Sequence, residues 1–178
     1  MVSLADLKKD LVDWPDEIID DWLLYFANES DLGWPPPEPL GTHRWSRILG
    51  GRPLTWWSDV NWKKQQANCK LHSLAPKTLA IAVNMVDQVG RNVADAVTKR
   101  RYQQALQHIL EQGTFYKPIV GMQIPKGLLI LDGNHRIGAF SGLQIMPDEW
   151  YAKLGKKRPS LTQDAWIGSH VKGEIPLT

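Results

Sequence analysis

The stretch Leu128-Leu129-Ile130-Leu131-Asp132-Gly133-Asn134-His135-Arg136-Ile137-Gly138-Ala139-Phe140-Ser141-Gly142-Leu143 changes character at its centre. Four aliphatic residues in a row read as a buried strand. Ile137, Phe140 and Leu143 recur at helical spacing and predict a short helix. Between them lie five small or polar residues, DGNHR. A Gly-Asn hairpin would be followed by an alternating strand, so the helical spacing predicts a strand-to-helix loop instead. There Gly133 permits a tight turn and close backbone approach, while Asn134 tolerates a left-handed conformation or caps the helix. Free N–H groups at the helix start, the helix dipole and the Arg136 guanidinium together favour an oxyanion such as phosphate. His135 is able to donate from either ring nitrogen or carry a proton, and Asp132 to hold a divalent cation or act as a base.

Working upstream, Pro118 to Ile124 reads as extended and Pro125-Lys126-Gly127 as a turn. Residues 93–112 form a helical stripe of Val97, Ala105, Leu106, Ile109 and Leu110 that stops at Gly113. Leu74 to Val89 fits both a strand alternation and a helical face; Ser73 before Pro76, with the alanines, favours helix. Downstream, Ala165 to Pro176 reads as a terminal strand pair around Gly168 or Gly173. His170 and Glu174 are candidates there for a wall of the loop's pocket, set against a plain surface histidine.

Further towards the N-terminus, Trp14-Pro15-Asp16-Glu17 opens an amphipathic helix of about three to four turns carrying Ile18, Ile19, Trp22, Leu23 and Phe26. GWPPPEP at 33–39 is a stiff connector. Residues 41–62 hold four of the nine tryptophans in two short pieces broken at Gly50-Gly51. Interleaved with Arg44, Arg47 and Arg52 they are a candidate base-stacking surface, but tryptophan at this density reads first as core or subunit contact. His43 has no second ligand at metal spacing and reads as a hydrogen-bonded residue.

With 178 residues, 43% hydrophobic and 22% charged, the chain suits one compact domain overall, divided into a Trp-rich helical region (1–72) and a core (73–178). No apolar run approaches the roughly 18 residues of a spanning helix, and MVSLADLKKDLVDW lacks the order of a signal peptide. The single cysteine, Cys69, excludes an internal disulfide and a thiol-rich metal cage. A cytoplasmic protein without a membrane partner is the expectation. The net charge of +2 conceals nine Asp/Glu against two Lys in residues 1–31, and 19 Lys/Arg against 10 Asp/Glu in the remainder. Such a body suits phosphate-bearing ligands, nucleic acid included. Lys99-Arg100-Arg101 and Lys156-Lys157-Arg158 are the candidate basic clusters for such ligands, set against a solvated helix face and a solvated loop. No HExxH, P-loop or paired His/Asp cluster is present, so no structural zinc is expected.

From about Arg101 to Leu143 the order is a helix ending LEQG, KPIVGMQI, a turn, GLLILDGNHR and IGAFSGL. This resembles the ParB/sulfiredoxin-like superfamily, in which a helix and glycine precede a PIVV-like strand, a second strand, a Gly-x-x-Arg loop and an Ala-containing helix. Gly133, Arg136 and Ala139 match that pattern, and DGNHR is similar to the Asp-Gly-His-His-Arg of free serine kinases. The resemblance implies an α+β fold, a small mixed sheet with helices, carrying the Trp-rich extension. It also implies a pocket for nucleotide phosphates at Gly133, Asn134, His135 and Arg136: ATP in sulfiredoxins, CTP in ParB proteins, ADP or ATP in free serine kinases. In a Mg²⁺-dependent phosphotransferase or nucleotide hydrolase the catalytic candidates are Asp132, His135 and Arg136, with Asp132 on the metal. Sulfiredoxin's reactive cysteine is replaced here by Asn134, ParB's helix-turn-helix has no room after residue 143, and Glu111 is the weak candidate for the kinases' upstream glutamate. Fic domains share Asp-Gly-Asn-x-Arg, but their His-Pro-Phe is absent, Leu128 to Leu131 standing in its place. The alternatives are a non-catalytic nucleic-acid or protein-binding module, a homodimer through the tryptophans, and a ParB-like nuclease.

Overall fold

A computed structural model describes residues 1–177 and is a mixed α/β protein of the α+β kind. Eight helices and one four-stranded sheet, in the order β1-β4-β2-β3, lie among the described residues. The chain forms two compact units: residues 1–64 with the segment from Trp166 onward, and Gln65–Ala165. The four strands are β1 (Val60–Asn68), β2 (Ile119–Ile124), β3 (Gly127–Asp132) and β4 (Thr162–His170).

In the first unit, α1 (Leu4–Lys8) starts from Ser3, whose side chain and Asp6 form a reciprocal cap. Helix α2 spans 16–27, with Asp16 and Glu17 at its positive end. A wider π-type turn over Ile19–Leu23 shifts its phase, so the adjacent pairs Ile18-Ile19 and Trp22-Leu23 are all buried. Helices α3 (Arg44–Ile48) and α4 (Leu54–Trp57) are separated by Gly50 and Gly51, both left-handed, at the break read from the sequence.

Most of this unit's tryptophans are core. Trp14 stacks on Trp22 (6.0 Å, 15°) and Trp57 on Trp62 (6.2 Å, 6°), and the two pairs meet edge to face. Each such contact is worth about 0.5–1.5 kcal/mol beyond the apolar area it buries. Trp14 Nε1 donates to the Trp57 carbonyl and Trp57 Nε1 to that of Leu49, which ties the indoles to backbone. The segment after β4 closes this unit: Arg52 donates twice to the Ile175 carbonyl (3.0 and 2.8 Å), and Trp56 Nε1 donates to Glu174 (2.6 Å).

In the second unit, α5 (Pro76–Gly90) begins on its proline with Ala75 as the flanking residue, so Ser73 is not the cap. Helix α6 (Ala96–Gln112) starts three residues later than the stripe implied, since Asp95 accepts from the Val97 and Thr98 amides, and it ends at left-handed Gly113. Its buried face is Tyr102, Ala105 and Ile109; Val97 is exposed and Leu106 and Leu110 are half-buried. Strands β2 (Ile119–Ile124) and β3 (Gly127–Asp132) pair antiparallel as a hairpin. Helix α7 (Asn134–Gln144) is buried continuously from Arg136 to Ser141, and α8 (Asp148–Lys153) follows. Gly138 and Gly142, one turn apart on α7, receive Met85 of α5 and the Tyr102 hydroxyl of α6 where a Cβ would sit.

The C-terminal expectation needs correction. β4 is one strand, not a pair, with Gly168 inside it facing Trp62 and Gly173 in a left-handed turn beyond it.

Candidate functional site

β3 ends at Asp132 and α7 starts at Asn134, so Gly133 alone makes the turn. Its φ of +103° is open to glycine at little cost, and Ile119 Cγ2 and Arg136 Nη2 each lie 2.7 Å from where a Cβ would stand. The left-handed residue and helix flank is therefore Gly133, whereas Asn134 is the first helical residue. The first helical bond runs from the Ile137 amide to the Gly133 carbonyl (3.0 Å), and no side chain caps this end. The amides of Asn134, His135 and Arg136 are thus beyond the reach of intrahelical acceptors, at the positive end of an 11-residue helix.

Arg136 is buried, at 4% exposure, and folds back under the turn. Its Nη2 donates to Asp132 Oδ2 at 3.0 Å, its guanidinium lies 5.2 Å from the Tyr116 ring centre, and Nε has no hydrogen-bond partner. Asn134 Oδ1 is also buried without a partner. His135 is half-buried; burial first, then the nearby Arg101 charge, hold its imidazole below the ordinary value of 6.5, with Asp132 and Asp95 pulling the other way. It is therefore neutral at pH 7 and able to donate one N–H or accept a proton.

The loop thus brings Asp132, Gly133, Asn134, His135 and Arg136 together, with Asp132 and Arg136 bound to each other. Sequence reasoning missed Tyr116, which forms the outer wall over Arg136; the only signal was its place just before the predicted strand. Glu111 is exposed and accepts from Gln107 on its own helix. His170 and Glu174 belong to the first unit. There His170 is buried, not a surface residue, and stacks on Trp56 at 4.4 Å while Nδ1 accepts from the Lys172 amide.

Of the nine tryptophans six are buried, three are half-buried and none is exposed, so the exposed stacking surface considered from sequence is not formed. Arg158 does not merely sit in solvent: it donates to the Gln144 and Met146 carbonyls behind α7 and to Asp148. Cys69 is fully buried, and burial pushes its thiol up to about 12. Among the described residues no group of three or more His, Cys, Asp or Glu side chains is placed to hold a metal ion. No helix among them is long and apolar enough to cross a membrane. Two open grooves have no loop residue in their lining. One, of about 550 Å³, is bounded by Asp6, Asp10 and Trp34; the other, of about 250 Å³, by Leu106, Leu110 and Leu154.

No protein-family model matches the chain, and neither a curated protein nor a solved structure does.

Proposed function

We propose that residues 132–136 bind the phosphate of a nucleotide such as ATP or CTP, within a ParB/sulfiredoxin-like second unit of a cytoplasmic protein. The observation that carries the reading is the uncapped start of α7, where a left-handed glycine leaves three amides for an outside acceptor. The order α6, Gly113, β2, turn, β3, DGNHR, α7 supports the fold assignment.

A phosphate at the loop would accept from the amides of Asn134, His135 and Arg136, with His135 adding a side-chain donor. Arg136 contributes charge from beneath while holding Asp132 and the turn in place. In phosphoryl transfer or hydrolysis, the same donors would stabilise charge growing on the phosphoryl oxygens. Mg²⁺ does not fit as a resident ion, because Asp132 is the loop's one carboxylate and is committed to Arg136.

Replacing Arg136 would collapse the turn, so the decisive variant is His135→Glu. A carboxylate at the second helical position complements the helix dipole by about 0.3–1 kcal/mol and has the Arg101 charge nearby, offset by burial and by the Asp132 and Asp95 carboxylates. It also repels an anion. Wild type is expected to gain thermal stability with ATP, CTP or ADP, and the variant to lose that gain while keeping the wild-type circular dichroism spectrum. Equal stabilisation of both proteins contradicts the reading. Salt-sensitive DNA binding indifferent to the substitution would favour a nucleic-acid module.

A further inference from the structure

We propose that Tyr116 is the residue that selects a nucleotide over bare phosphate, by stacking the base on its open face. This inference rests on the phosphate reading of the loop. Tyr116 is 53% exposed, so part of its ring is open to a ligand. Its ring is nevertheless held in place. The Arg136 guanidinium lies over it, and His108 meets it edge-on at 5.7 Å. The segment that carries it is anchored on both sides. Phe115 is buried against Phe140 and its amide donates to Gln163 Oε1 at 3.0 Å, while Ile119 enters β2.

Arg136 connects this ring to the loop. The same guanidinium reaches Asp132 and lies under Gly133, and its buried Nε has no partner. An exposed, fixed aromatic face thus stands beside the uncapped helix start. A cation behind a ring withdraws electron density from it, which favours an electron-rich heteroaromatic partner on the other side. A nucleoside phosphate offers a base for the ring and an oxyanion for the amides. Inorganic phosphate offers only the second.

The test titrates ATP, CTP and inorganic tripolyphosphate into wild type, Tyr116→Ala, Tyr116→Phe and Tyr116→Trp, each checked by circular dichroism. Tyr116→Ala is expected to weaken both nucleotides about fivefold or more without weakening tripolyphosphate. The Phe and Trp variants should bind nucleotides as wild type does. Nucleotide affinity unchanged in Tyr116→Ala overturns the assignment to Tyr116 and leaves the loop reading standing. So does an equal loss for nucleotides and tripolyphosphate, which marks a purely structural ring. Wild type that binds neither tripolyphosphate nor nucleotide overturns the loop reading itself.

Discussion

Gly133 carries the turn on which the candidate site depends. Alanine there meets an unfavourable φ and two side chains at 2.7 Å, so Gly133→Ala should cost about 1–3 kcal/mol in urea unfolding. Full stability in that variant would mean that the loop relaxes freely. His135 has a pH signature. Its folded-state value lies below the ordinary 6.5, so the unfolded chain binds its proton more readily. The contribution is intact above about pH 6.5 and is lost as pH falls through that value towards the lower folded one. Thermal midpoints measured between pH 7.5 and 5 should therefore decline, and His135→Asn should flatten the slope. Saturating nucleotide would lessen the decline if the phosphate faces the imidazole, since a bound anion favours the protonated ring. The five loop residues were legible because an apolar strand and an apolar helix face frame them. Their mutual pairing was not, since the Arg136 to Asp132 bond depends on how far a long side chain folds back under a turn.

At the scale of elements, α7 is unusual in being buried around most of its surface, and its two glycines take the contacts of α5 and α6. Gly142→Ala would set a methyl against the Tyr102 hydroxyl and should cost about 1–3 kcal/mol. Tyr102→Phe removes the clashing atom, so the double variant should recover much of that loss. A double-mutant cycle showing coupling below about 0.5 kcal/mol would mean the helices separate instead. Helices α2, α5 and α6 and the β2-β3 hairpin were readable from periodicity, caps and breakers. β1 was not: NWKKQQAN is polar, and only Val60 and Ala67 of that strand are buried. A strand defined by its neighbours' hydrogen bonds, not by its own apolar residues, leaves little trace in sequence. The reading of β4 as two strands failed for a related reason: Gly168 looked like a turn but makes room for the Trp62 indole.

For the whole molecule, the first unit is built from both ends of the chain. Truncation after His170 removes Glu174 and Ile175, the partners of Trp56 and Arg52. The truncated chain should show red-shifted tryptophan emission and an earlier melt of the Trp-rich unit. Unchanged emission would mean that the segment is dispensable. Long-range partnership of this kind leaves no local trace in sequence, because Arg52 and Trp56 meet their partners more than a hundred residues away. During synthesis the consequence is one of timing. A ribosome adding about 5–20 residues per second releases the tryptophan-bearing half several seconds before the strand that covers it exists. Through that interval the nascent polypeptide displays unburied indoles, so its yield in cells should respond to chaperone supply more than its size alone would imply.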